Sequence, residues 1–285
     1  METPGDEKDC VTLEVMQETT TSVMTIKRRH LLLVVAVASV TTGCGNSAGR
    51  TTVREQPALN STRSQTSSTA LPAINPVKYN DVRLKIDAAR TKLSSRYQHT
   101  ENIDQKLNVI NDAREYLTQS VYNEIFPYWY GTGWDFNGTT ETPGQGKIAC
   151  GYFVSTVLRD TGLKVQRARM AQQASENIVL SLTTDAHIKR FRNVPINAFV
   201  QSVQNWGPGL YVVGLDIHTG FILNVDGDVY FIHSSYIDPY TVVKDRALES
   251  RILSDSKYRV LGKISADDQL IMKWLRGEAI ATRVG

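Results

Sequence analysis

Cys150, His218 and His233 are the residues of this chain whose types and spacing point to covalent chemistry. Cys150 opens the run Cys150-Gly151-Tyr152-Phe153-Val154, and the spacing of Val154, Val157 and Leu158 predicts a helix from there, closed by Gly162. A helix start carries partial positive charge, and a nearby imidazolium adds more. Both lower a thiol pKa, and the free N–H groups of the first turn can hold an oxyanion. Two strand-like runs, 210–216 and 218–225, lead into Asp226-Gly227, a strong two-residue hairpin turn, and 229–233 is the return strand. With that turn Val225 pairs with Asp228, His233 falls opposite Gly220, and His218 lies two residues along on the same face. The histidines are then diagonal neighbours, about 7–8 Å apart at Cβ, and Gly220 leaves the space between them open. A three-residue loop would reverse the parity and part them. On this reading Cys150 is a nucleophile, His218 its base and His233 the residue that orients the base.

The surrounding elements must hold these groups. Apolar spacing predicts helices over 79–97 and 102–126, the second ended by Pro127. The segment Pro127-Tyr128-Trp129-Tyr130-Gly131-Thr132-Gly133-Trp134 is dense in aromatics and glycine, and Trp129, Tyr130 and Trp134 are candidates to line a substrate groove. A polar loop over 138–146 leads to Cys150. Residues 164–205 read as mixed helix and loop, 257–264 as a strand and 267–275 as a final helix. His99 and His187 lie in polar segments and receive no role.

Composition sets the class. With 285 residues, 41% hydrophobic, 21% charged and a net charge of +3, the chain has an ordinary core and too little positive charge to argue for nucleic acid. The three cysteines, at 10, 44 and 150, form no CxxC pair, so neither a disulfide framework nor a metal site is expected, and no cofactor is implied. Met24 begins a positive segment, Leu31 to Val40 form an apolar run too short to span a membrane, and Thr41-Thr42-Gly43-Cys44 follows. This is the layout of a secretory signal peptide. It resembles a bacterial lipoprotein signal, which implies lipidation of Cys44, a membrane anchor and a place in the cell envelope; Thr41 departs from that pattern. His30 would leave with the signal. Residues 1–23 read as upstream of the true start at Met24. The organisation is then a signal region over 1–43, a flexible tether over 44–76, a helical N-terminal region over 77–126 and a catalytic domain over 127–285.

Pro127-Tyr128-Trp129-Tyr130-Gly131, Ala149-Cys150-Gly151-Tyr152-Phe153-Val154, His218-Thr219-Gly220-Phe221-Ile222 and Phe231-Ile232-His233-Ser234 together resemble the NlpC-type papain-like cysteine peptidases of bacterial cell walls. The resemblance covers about residues 127–236. It implies an α+β fold in which a cysteine-bearing helix packs on an antiparallel sheet, here with an N-terminal helical extension. It implies a Cys150-His218-His233 triad, with Tyr128 shaping the pocket, and hydrolysis of amide bonds in peptidoglycan stem peptides. The family usually has Asp before its cysteine and Ser after it, where this chain has Ala149 and Gly151; the interval from Cys150 to His218 is long; and Gly207-Pro208-Gly209-Leu210 only partly matches the signature before the histidine strand. Acyl transfer on the same fold, or a non-catalytic envelope lipoprotein that binds wall peptides or a partner, are the alternatives. Oligomeric state is not legible.

Overall fold

The Asp-Gly turn fixes the centre of the fold. In a computed structural model, which describes residues 76–285, Asp226 and Gly227 take φ of 51° and 94°, the left-handed pair that a two-residue hairpin turn needs. The signal region, residues 1–23, Cys44 and nearly all of the tether lie outside the described residues.

The described chain opens with helices α1 (Pro76–His99) and α2 (Ile103–Gln119). The helix expected to stop at Pro127 instead widens into a π-turn over Ser120–Ile125 and resumes as α3 (Phe126–Trp129). Proline has no N–H, and placing it in the first turn of a new helix leaves no donor missing. Two short strands follow, β1 (Gly133–Trp134) and β2 (Lys147–Ile148), then α4 (Cys150–Asp160) and β3 (Lys164–Val165). Gly162, with φ of 92°, closes α4, donating to the Arg159 carbonyl at 2.9 Å. The region read as mixed holds α5 (Arg167–Ala171), α6 (Ser175–Leu182), β4 (Ile188–Arg192) and α7 (Ile196–Trp206). After it come β5 (Gly209–Leu215), β6 (Thr219–Val225), β7 (Asp228–Ser234), β8 (Val242–Arg246), α8 (Arg251–Asp255), β9 (Tyr258–Gly262), α9 (Asp268–Arg276) and β10 (Ala279–Ile280). Neither β4 nor β8 was expected from the sequence.

The fold is α+β. Six strands form one antiparallel sheet in the order β4-β9-β5-β6-β7-β8. Side chains alternate across it as the period of two requires. Val212, Phe221, Leu223, Ile232 and Val260 join a cluster with residues of α1, α2 and α4, among them Tyr79, Ile86, Ile110, Leu117 and Phe153. Tyr211, Val213, Ile222, Phe231 and Leu261 join a second cluster with Phe199, Val200 and Leu253 of α7 and α8. The N-terminal helices therefore share a core with the sheet. Three apolar residues of the stripes read in those helices face outward: Leu84, Ile103 and Leu107 are 61%, 75% and 47% exposed. Among the described residues no helix is long and apolar enough to cross a membrane.

Candidate active site

The nucleophile candidate and the base candidate sit where two elements begin. Cys150 is the first residue of α4, and His218 immediately precedes β6. Ala149 caps α4 without a side-chain bond. The first amide to turn back is that of Phe153, onto the Ala149 carbonyl at 2.8 Å, so the preceding amides are left at the helix start. Burial pushes the Cys150 thiol up, and the amides of Thr219, Gly151 and Cys150 itself offset this only in part. The direction is opposite to the lowered thiol pKa expected from the helix start: desolvation outweighs the backbone amides.

The hairpin register is the expected one. Val225 pairs with Asp228 and Phe221 with Ile232, which sets His233 opposite Gly220. His218 Nε2 lies 3.0 Å from His233 Nδ1, and the rings meet edge to face with centroids 5.0 Å apart. A Cβ on Gly220 would come within 2.8 Å of the His233 Cβ and 2.7 Å of the Phe231 ring. Only glycine lets the histidines approach. His233 in turn stacks on Phe231 at 4.0 Å. Its neighbour Ser234 donates to the Ile148 carbonyl at 2.7 Å, tying β7 to the segment that delivers Cys150.

The chain of contacts has a third member that the sequence reading missed. His233 Nε2 lies 3.1 Å from Asp245 Oδ2. Asp245 is on β8, where Val243 pairs with His233, so Asp245 is diagonal to His233 on the same face. This contact sets the tautomers. The Asp245 carboxylate only accepts, so neutral His233 carries its proton on Nε2 and offers the Nδ1 lone pair to His218 Nε2–H. His218 is left with a lone pair on Nδ1, the form a general base needs.

Burial drives the His218 pKa well below the ordinary imidazole value, and the neighbouring His233 adds to this. Burial also lowers His233, although its bond to Asp245 pulls the other way. Both imidazoles are therefore neutral in the fold, where an imidazolium had been expected. Unfolded, each takes a proton from about pH 6.5 downward. The folded state then binds fewer protons, so stability falls as pH falls, by at most about 1.4 kcal/mol per pH unit for each imidazole. We expect urea unfolding to show this loss between about pH 6.5 and about pH 5. Glu141, Glu176 and Asp267 have lowered pKa values, so their contribution fades only below the ordinary carboxylate range. A flat profile across that window would contradict a neutral pair.

Two hollows adjoin at Cys150 and His218. One, of about 690 Å³, is lined by Trp134, Phe136, Tyr152, Gln172 and Tyr236. The other, of about 560 Å³, is lined by Ser175, Glu176, Arg192, Asp216 and Tyr258. Of the four aromatics proposed for substrate, Trp134 alone lines either hollow. Trp129 is fully buried and donates its indole N–H to the Tyr79 hydroxyl at 2.9 Å. Tyr128 and Tyr130 pack against the main core, Tyr128 beside Tyr79 with centroids 5.3 Å apart. Tyr236 was not singled out in the sequence, yet its ring meets His218 with centroids 5.1 Å apart. Burial raises its phenol pKa, to which Asp255 and then the Cys150 thiol add.

No protein-family model matches this chain, and the comparisons with curated proteins and with solved structures likewise return no match.

Proposed function

We propose that the chain is a cysteine hydrolase of amide bonds, with Cys150 as nucleophile, His218 as general base and His233 and Asp245 as the residues that position the base. The observation that carries this reading is the run His218–His233–Asp245, which leaves the Nδ1 lone pair of His218 uncommitted in the hollows that Cys150 also lines. Because thiol and imidazole are both neutral at rest, proton transfer accompanies attack rather than preceding it. The Cys150 sulfur bonds to the carbonyl carbon as His218 takes the thiol proton. The oxyanion forms beside the amides at the start of α4. The C–N bond then breaks, with the proton passing from His218 to the leaving amine. Water, activated by the same imidazole, converts the thioester to a carboxylic acid and restores the thiol.

We further propose that the α+β arrangement is a papain-like domain of the NlpC type, and that its substrates are peptidoglycan stem peptides met in the cell envelope by a chain anchored through Cys44. The cysteine at a helix start and the two histidines on one hairpin support this. The glycine after the cysteine has a local reason: a Cβ at Gly151 would lie 2.2 Å from the Ala171 carbonyl oxygen, so α5 excludes the serine that the family usually carries there. The test is incubation of the full chain with disaccharide–peptide fragments of peptidoglycan in ¹⁸O-water, read by mass spectrometry. Cleavage with ¹⁸O in the new carboxylate is expected. Intact fragments, or transfer to an added amine without ¹⁸O, would overturn the hydrolase reading.

A further inference from the structure

The hollow on the β4 side of Cys150 carries three charged side chains, and two are already committed. Glu176 accepts from Arg190 Nε at 2.8 Å and from the Tyr258 hydroxyl at 3.0 Å. Asp216 accepts from the Lys257 amide at 2.6 Å, the Tyr258 amide at 3.1 Å and the Ser256 hydroxyl at 3.0 Å. The third is Arg192. It makes no ion pair or hydrogen bond among the described residues. Its guanidinium instead lies over the Tyr258 ring, 4.5 Å from the centroid, directly across the β4–β9 pair. Alternation along β4 puts Arg190 and Arg192 on one face and turns Phe191 to the other, against Phe199 with centroids 5.0 Å apart. Arg190 pairs directly with Glu176; the charge of Arg192 also acts on that carboxylate, but its guanidinium donors are left free over the ring. The hollow on the other side of Cys150 is aromatic and carries no Asp, Glu, Lys or Arg. The cleft is therefore electrically asymmetric about the thiol.

We infer that Arg192 is a specificity-determining residue that receives a carboxylate of the substrate on the β4 side of Cys150. This rests on the hydrolase reading for what the substrate is. The guanidinium fork suits a carboxylate bidentately, and the ring beneath it limits the rotamer freedom lost on binding.

The probes are N-bromoacetyl-glycyl-glycine as the free acid and as its C-terminal amide. In each, the Cys150 sulfur displaces bromide to form a thioether and the thiol proton is lost to solvent. The rate of mass gain at Cys150 is read for the full chain. We expect the acid to react about tenfold faster than the amide, the ratio that one charge-assisted contact supports. Arg192→Ala should bring the ratio to near one, and Arg192→Lys should restore part of it. Equal rates in the wild type, a preference for the amide, or a preference that survives Arg192→Ala would each overturn the inference. If neither probe modifies Cys150, the hydrolase reading fails, and the inference is decided separately. Acetyl-glycyl-glycine and its amide are then titrated calorimetrically into Cys150→Ala. Tighter binding of the acid, lost on adding Arg192→Ala, supports the site; equal binding rejects it.

Discussion

Cys150→Ala is expected to abolish the proposed amide hydrolysis while leaving a folded protein. The expected fall in kcat is on the order of 10⁶, the loss seen where nucleophile and base act as a unit. His218→Ala should fall nearly as far, and the double variant no further than the worse of the two. That non-additivity is the informative part, because independent contributions would multiply. Folding can be checked in parallel. The thiol is a small group, and its loss should cost about 1 kcal/mol in urea unfolding. Cys150→Ala with unchanged turnover on wall fragments would end the covalent reading. A His218→Ala variant that retains most activity would instead point to another base.

Gly151→Ala should destabilise the protein more than any other single methyl addition near the site. The new Cβ would sit 2.2 Å from the Ala171 carbonyl oxygen and 3.2 Å from the Ala171 Cα. Both are backbone atoms, so no side chain can swing away. Relief requires α5 to move off the start of α4 or α4 to shift. Overpacking of this kind costs about 1–3 kcal/mol, occasionally more, and we expect the upper end. Ala171 lines both hollows beside Cys150, so the same shift widens the cleft. Activity should fall mainly through KM, with His218–His233–Asp245 undisturbed. Equilibrium unfolding together with steady-state kinetics checks this; a variant as stable as the wild type would mean that α5 packs loosely.

The hairpin was legible because its information is local. A turn that demands left-handed φ, flanked by alternating apolar runs, fixes register within a few residues, and register placed His218 near His233. Asp245 and Arg192 were not legible for a common reason. They lie on β8 and β4, the two edges of the sheet. Edge strands carry charge to avoid pairing with other chains, so Val-Val-Lys-Asp-Arg and Ile-Lys-Arg-Phe-Arg give little hydrophobic alternation. Only the tertiary pairing shows them to be strands. Trp129 was misjudged because aromatic density does not distinguish core from groove; its indole N–H finds a partner in α1, far back in the sequence. The thiol pKa was misjudged because helix position is visible in a sequence and burial is not.

The exposure along the relay has its own consequence. His233 is fully enclosed, whereas the Asp245 side chain is 37% open to solvent. A bound substrate would stopper both hollows above the thiol, but it would leave the far carboxylate wet. The hydrogen-bonded line therefore runs from the buried imidazoles to bulk water at the β8 edge. On the proposed hydrolase reading, this gives protons a route through the back wall of the site while the front is occupied, and the acid–base state of the pair need not be reset by product leaving.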